Sequence, residues 1–104
     1  MVFLGTELKL NIHIDSIDGQ HMSDYDFKVE VFANTKKTIT IEKSDNTKCK
    51  KVDNDNYLIL LDTTEVGCGE LICKITAYIP DNQFEDNLRT EVDVIKTGII
   101  IKQS

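Results

Sequence analysis

Apolar and polar residues alternate with a period of two along most of this chain. In residues 6–15, TELKLNIHID, every second residue from Leu8 to Ile14 is apolar. The same alternation recurs in FKVEVFAN (27–34) and TITIEK (38–43). A period of two is typical of a β-strand with one buried face, and no segment shows the period of a helix.

Longer apolar runs and turn residues complete this pattern. YLILLDT (57–63) and LICKITAYI (71–79) are apolar enough for central strands, and CKKVD (49–53) predicts a weaker one. Turns are predicted at Asp18-Gly19, at NTKK (34–37), at Asp53–Asn56 and at the two glycines of GCGE. About seven strands spaced by roughly 8–15 residues predict an all-β sandwich or barrel.

The stretch AYIPDNQFEDNLRTEV (77–92) holds the only proline and the only arginine, and we expect it to be the corner joining the last two strands. Pro80 ends the earlier strand because it cannot donate a ladder hydrogen bond. Asp81 is expected to accept from backbone amides of the turn, and Phe84 to cover the end of the sandwich. Arg89 is expected to fix the corner rather than bind a ligand, using neighbouring carboxylates. These are Asp81, Glu85, Asp86 and Glu91.

Length and composition indicate one globular domain spanning residues 1–104. The chain is 40% hydrophobic and 29% charged, and its net charge of −6 argues against a general nucleic-acid binder. Counting Lys and Arg against Asp and Glu, residues 36–51 carry +4 between acidic flanks of −4 and −6. That contrast favours either pairing between subunits or solvated hairpin tips of mixed sign.

The cysteines and the apolar runs indicate in which compartment the protein folds. Three cysteines without a CxxC pair favour free thiols and folding in a reducing cytoplasm, with Cys73 in the core and Cys68 exposed. MVFLGTELK lacks the features of a signal peptide, and no apolar run approaches the ~20 residues of a membrane helix. We expect a soluble protein with no membrane partner.

Candidate chemistry is sparse. His13 and His21 are isolated from any recognisable catalytic motif, so we expect no enzyme and no small-molecule substrate. No metal-binding spacing or phosphate loop is visible, so we expect no cofactor. The acidic stretches 15–19 and 53–56 leave a weak calcium site open beside simple hairpin polarity. Three tyrosines keep carbohydrate binding open: Tyr25, Tyr57 and Tyr78.

Several stretches together resemble a known protein family. They are SDYDFKVEVFAN, DNDNYLILLDT, the glycine turn and YIPDNQFEDNLRTEV ending in TGIII. They are similar to small virion structural proteins of crAss-like and related Bacteroidales bacteriophages and prophages. Asn87 stands where the family has glycine, and asparagine tolerates the left-handed conformation of that turn. The matching positions are Asp24, Asp26, Phe27, Tyr57, Asp62, Gly67, Gly69, Ile79, Pro80, Asp81, Phe84, Asp86, Arg89, Thr90 and Glu91.

The resemblance implies an immunoglobulin-like sandwich used as a building block of the virion, in the head, head fibre or tail. It implies assembly in the cytoplasm of a bacterial host, self-association as a homo-oligomer such as a dimer, and docking of other virion structural proteins. It brings no catalytic residues. Two alternatives stay open: a receptor- or glycan-binding module, and a cellular immunoglobulin-like domain of a host bacterium.

Two apolar segments are candidates for the interface. In TGIIIKQS, the run Ile99, Ile100 and Ile101 must turn at least one side chain away from the core if it stays extended. In MVFLG, the apolar residues Val2, Phe3 and Leu4 precede the first predicted strand. The alternatives are a fully covered central strand for the isoleucines and packing across the sandwich end for the amino-terminal residues.

Overall fold

The structure, a computed structural model, describes residues 1–34 and 37–103. Within them the chain forms strands and one 3₁₀ turn, Thr63–Glu65. Two residues of the predicted NTKK turn, Thr35 and Lys36, and the terminal Ser104 lie outside the described residues. The strands are β1 (Val2–Phe3), β2 (Glu7–His13), β3 (Asp26–Phe32), β4 (Thr38–Glu42), β5 (Cys49–Asp53), β6 (Asn56–Asp62), β7 (Gly69–Pro80) and β8 (Leu88–Lys102).

The strands form two sheets that pack as a sandwich. One has the order β1-β8-β7-β3-β4 and the other β2-β6-β5. All pairs are antiparallel except β1 with β8, which is parallel and matches Val2 to Ile101. The predicted all-β sandwich is therefore confirmed, and β1 is an additional short strand that the sequence pattern did not predict.

The alternation along each strand decides which side chains form the core. In β3 the residues Phe27, Val29 and Val31 are fully buried, and the residues between them are half-exposed. Phe27 packs edge-on against Tyr57 of the other sheet, with ring centroids 5.0 Å apart. Such a pair adds to the free energy of apolar burial, and it joins the two sheets near the middle of the sandwich.

Two turns require special backbone conformations, as their residue types predict. Asp18 (φ 52°) and Gly19 (φ 76°) form a two-residue hairpin closed by Ile17 and Gln20, whose backbone groups exchange hydrogen bonds of 2.8 Å. Gly69 has φ 129°, and a Cβ atom there would lie 2.6 Å from the backbone nitrogen of Asn34. A side chain at this position is therefore excluded by both conformation and space.

A lysine joins β4 to the loop before β3. The Nζ of Lys43 donates to the backbone carbonyl oxygens of Met22, Ser23 and Tyr25 at 3.0, 3.2 and 2.6 Å. Loss of hydration lowers the pKa of this ammonium, with the charges of Asp26 and Asp24 acting in the opposite direction. Lys43 therefore satisfies three carbonyl groups that the loop leaves without strand partners.

Candidate interaction surface

Large apolar side chains are exposed along the outer face of β8. Residues of odd number, such as Ile95, Ile99 and Ile101, face the core, so the residues of even number face away from it. Val92 and Val94 are 55% and 56% exposed. The β8 stripe, as we name this surface, also includes three other exposed residues of the outer face: Phe3, Leu88 and Ile100.

The rest of the outer face carries charged residues beside three half-exposed side chains, Phe32, Ile72 and Tyr78. Cross-strand neighbours of opposite charge, Glu30 with Lys74 and Lys28 with Glu42, lie on β7, β3 and β4. On β8 itself the charged residue Lys96 follows Val94 on the same face. The most exposed apolar side chains of the outer face thus lie on β8 and β1, beside a part on β7, β3 and β4 where charges of opposite sign are neighbours. Exposed apolar side chains grouped on one strand, here interrupted by Thr90, Lys96 and Gly98, are typical of an interaction site.

The structure sorts the predicted interface residues into two groups. Ile101 is in the core. Three other predicted residues are partly buried against the core: Val2, Leu4 and Ile99. Phe3 (52% exposed) and Ile100 (46% exposed) point outward and join the β8 stripe. The expectation that one residue of the isoleucine run faces away from the core is confirmed. For Ile101 the interface prediction is wrong, because an odd-numbered residue of this strand faces inward.

The predicted corner is the hairpin connection between β7 and β8. Asp81 N–H donates to the carbonyl of Asn87 at 2.9 Å, so the neighbouring pair of Pro80 with Leu88 needs no hydrogen bond between its members. Proline is tolerated there for that reason. The carboxylate of Asp81 accepts from Gln83 N–H at 3.0 Å, and Asn87 is left-handed with φ 60°. These features agree with the sequence prediction.

Arg89 binds carboxylates, although not all of those expected. Its Nη1 lies 2.6 Å from Glu91 Oε1, its Nη2 lies 2.5 Å from Asp18 Oδ2, and its Nε is 3.4 Å from Asp81 Oδ2. Asp18 lies in the Asp18-Gly19 hairpin. Its contact with Arg89 was not predicted, because the two residues are far apart in the sequence. No contact with Glu85 or Asp86 is formed, because the turn directs both side chains to solvent.

The prediction for Phe84 is wrong. Its side chain is 47% exposed at the hairpin tip rather than packed over the sandwich end. The turn closes on itself through Phe84 N–H to Asp81 and Asn87 N–H to Phe84. In this closed turn the phenyl ring lies exposed at the tip of the hairpin.

Two of the three candidate glycan-binding tyrosines are core residues. Tyr25 and Tyr57 are buried, and only Tyr78 is half-exposed among the three. Burial raises the pKa of Tyr25 to about 12, and its hydroxyl has no hydrogen-bond partner among the described atoms. A stacking platform for a sugar needs an exposed ring, so Tyr25 and Tyr57 cannot provide one in this fold.

The histidines bind neighbouring carboxylates at one end of the sandwich. His13 Nε2 lies 2.8 Å from Asp15 Oδ1, and His21 Nδ1 lies 2.9 Å from Asp55 Oδ2. The hydrogen bond with Asp15 raises the pKa of His13. Among residues 1–34 and 37–103, no group of three or more His, Cys, Asp or Glu side chains is arranged to hold a metal ion.

The three cysteines are free thiols in different environments. Cys49 and Cys73 are buried, and Cys68 is partly exposed with its Sγ 3.8 Å from Gln103 Oε1. Burial raises the pKa of Cys73 to about 11 and raises that of Cys49. A thiol with a raised pKa is a poor nucleophile at neutral pH, which leaves Cys68 as the accessible one.

The described chain holds no helix with the length and apolar character needed to cross a bilayer. Comparison with protein-family models, with curated proteins and with solved structures finds no match for this chain.

Proposed function

We propose that this protein is a non-enzymatic structural component of a bacteriophage virion, which self-associates and docks other capsid or head-fibre proteins. One observation carries the self-association: Val92 and Val94 of the β8 stripe are more than half exposed on the outer face of the sheet. Exposed valines on a strand contribute nothing to the core of one chain. A second copy that covers them removes their apolar surface from water.

The size of the outer face fits a symmetric dimer. With strands about 4.8 Å apart and a rise of about 3.3 Å per residue, the face measures about 600 Å². Two copies packed face to face would bury about 1,200 Å² together, at the lower end of a standard interface. Residues of both charges on the same face allow a two-fold arrangement to place Lys74 or Lys28 near a carboxylate of the other copy.

The strand order supports an immunoglobulin-like assignment. In the larger sheet, the neighbouring strands β4, β3, β7 and β8 have the spatial order of the C′, C, F and G strands of that fold. In the opposite sheet, β5, β6 and β2 correspond to the D, E and B strands. The chain contains no tryptophan, and its cysteines are unpaired, so the buried tryptophan and disulfide of antibody domains are not part of this core. Phe27 and Tyr57 occupy its centre instead.

The virion setting rests on the sequence resemblance and on the free thiols, which suit assembly in a bacterial cytoplasm. A receptor- or glycan-binding module is the weaker alternative, because Tyr25 and Tyr57 are buried.

Size exclusion with light scattering tests the proposal through the variant Ile100→Asp. Ile100 is 46% exposed on the β8 stripe, so a charge there should lower the mass to that of one chain while circular dichroism stays unchanged. An unmodified chain that is already monomeric at all concentrations would contradict self-association.

A further inference from the structure

Two strand edges lie unpaired on the same side of the sandwich. Among the described residues, β2 pairs only with β6, and β8 pairs with β1 only at Ile101 and Lys102. Because the pair Asp81–Asn87 is hydrogen bonded, the odd-numbered residues of β8 up to Ile95 direct their backbone groups to β7. The N–H and C=O groups of the even-numbered residues therefore face the free edge. They belong to Leu88, Thr90, Val92, Val94 and Lys96.

A groove runs between these two edges. It contains two cavities of about 360 and 390 Å³ that follow one another along β8. The first is lined by apolar side chains that include Ile14, Ile17 and Ile75, and the second by Leu10, Ile12 and Ile95. The open side of the sandwich is therefore apolar inside and bordered by unpaired backbone groups.

Strand β1 shows how an extended chain sits on this edge. It runs parallel to β8 but covers only its last two residues, Ile101 and Lys102, and Leu4 N–H donates to the Lys102 carbonyl at 2.7 Å. A segment continuing this line would run along β8 from Leu88 toward Ile99. At about 3.3 Å per residue it needs about ten residues, and alternate side chains would enter the two cavities.

We propose that this groove accepts an extended segment of a partner protein by strand addition, parallel to β8. The acidic side chains Asp15, Glu91 and Asp93 border the first cavity, and Lys9 and Lys96 border the second. A complementary segment therefore directs basic side chains into the groove from its amino-terminal half, acidic side chains from its carboxyl-terminal half and a small apolar side chain between them.

A second copy of β8 is the poorer occupant. An antiparallel pair of two β8 edges centred on Val92, the middle of the first cavity, would bring Glu91 and Asp93 of both copies side by side, and like charges opposite each other destabilise a sheet. The inference deepens the docking role within the proposed function, on which it rests, and it uses the edge of β8 rather than the exposed valine side chains of the β8 stripe.

The test is amide hydrogen exchange by nuclear magnetic resonance, with a synthetic peptide of about ten residues. Every second residue of the peptide faces the groove, and these positions are lysine, lysine, valine, glutamate and glutamate in that order, with threonine at the positions between them. We expect exchange at Thr90, Val92 and Val94 to slow by about tenfold or more when the peptide is added. The amides of Glu91, Asp93 and Ile95 are already bonded to β7 and report that the fold is intact.

Two controls make the result decisive. The same residues in reverse order place glutamates against Asp93, so this peptide should protect the three amides less. The variant Asp93→Lys should weaken protection by the first peptide, and Asp93 is exposed, so its replacement leaves the core unchanged. No protection by the first peptide, or equal protection by both, overturns the proposal and leaves the inward acidic residues as guards of a bare edge. Light scattering on the same samples reports self-association separately.

Discussion

Arg89 Nη2 lies 2.5 Å from Asp18 Oδ2, across 71 positions of sequence, and this contact joins the β7–β8 hairpin to the short hairpin at Ile17–Gln20. A second hydrogen bond, from Gln20 Nε2 to the Pro80 carbonyl at 3.1 Å, joins the same two hairpins. The only arginine of the chain thus links two connections at one end of the sandwich. Its guanidinium fork can serve three carboxylates, which a lysine cannot match.

Replacing Arg89 by alanine should destabilise the fold. We expect a loss of about 1–2 kcal/mol in the free energy of unfolding, since charged hydrogen bonds are lost but the carboxylate of Asp18 is well exposed. Chemical denaturation measures this loss. The Arg89→Ala and Asp18→Ala double-mutant cycle should give a coupling of about 0.5–1 kcal/mol. Glu85→Ala is the matched control, with an expected change within about 0.5 kcal/mol. Equal losses for Arg89→Ala and Glu85→Ala would remove Arg89 from this role.

Charges on the β8 stripe should abolish self-association without unfolding the protein. We expect the double variant Val92→Lys, Val94→Lys to sediment as a single chain, because burying two ammonium groups at an interface is unfavourable. Val52→Lys provides a control of the same chemistry, since Val52 is 59% exposed on β5 of the other sheet. Sedimentation velocity that shows the same shift for the Val52 variant would place the interface elsewhere.

Thiol labelling should distinguish the three cysteines. At neutral pH we expect an alkylating reagent to modify Cys68 in the folded protein, and Cys49 and Cys73 only after denaturation, because both are buried with raised pKa values. Mass spectrometry of the labelled chain counts the modifications. Rapid labelling of Cys73 under native conditions would mean that β7 is not in the core.

Stability should depend on pH in opposite directions at two sites. The hydroxyl of Thr64 holds the pKa of Asp62 below its ordinary value of 3.8. The ionised carboxylate of Asp62 therefore stabilises the folded protein above that pH, and this stabilisation is lost as the pH falls through the folded-state pKa. Asp15 raises the pKa of His13 above 6.5. The protonated imidazole of His13 therefore stabilises the folded protein below pH 6.5, and this stabilisation is lost as the pH rises through the folded-state pKa. The urea midpoint of unfolding should depend less on pH in the acid range for Asp62→Asn and less on pH in the neutral range for His13→Gln. Profiles identical to the unmodified protein would contradict both assignments.

Lys43→Met should be the costliest single change at a charged residue. We expect a loss of about 2 kcal/mol or more, because three carbonyl oxygens lose their donor. Thermal and chemical denaturation measure the effect. Lys50→Met, on the exposed part of β5, should change stability by no more than about 0.5 kcal/mol. A neutral Lys43→Met would show that water replaces the ammonium.

Local patterns were sufficient to predict the fold class and several turns. Alternation placed Leu10 and Ile12 inside, and the need for left-handed backbone placed Gly69 and Asn87 at their turns. These features depend on each residue and its neighbours along the chain. The prediction for Phe84 was wrong because the apolar character of a residue does not determine whether a short turn folds toward the core or away from it.

Contacts between distant segments were beyond local patterns. The pairing of Arg89 with Asp18 depends on how two hairpins meet, and the three acceptors of Lys43 depend on the path of the loop before β3. The exposed face of β8 was missed for a related reason. The segment from Val92 to Ile95 reads as an ordinary strand, and only its pairing in the sheet shows that Val92 and Val94 point away from the core.

Sedimentation equilibrium of the unmodified chain over a wide range of concentrations tests self-association through the β8 stripe. We expect a mass of twice one chain that falls toward one chain on dilution, and the mass of one chain throughout for Val92→Lys, Val94→Lys run beside it. A single-chain mass for the unmodified protein at every concentration, or an unchanged oligomer in the double variant, would exclude self-association through this surface.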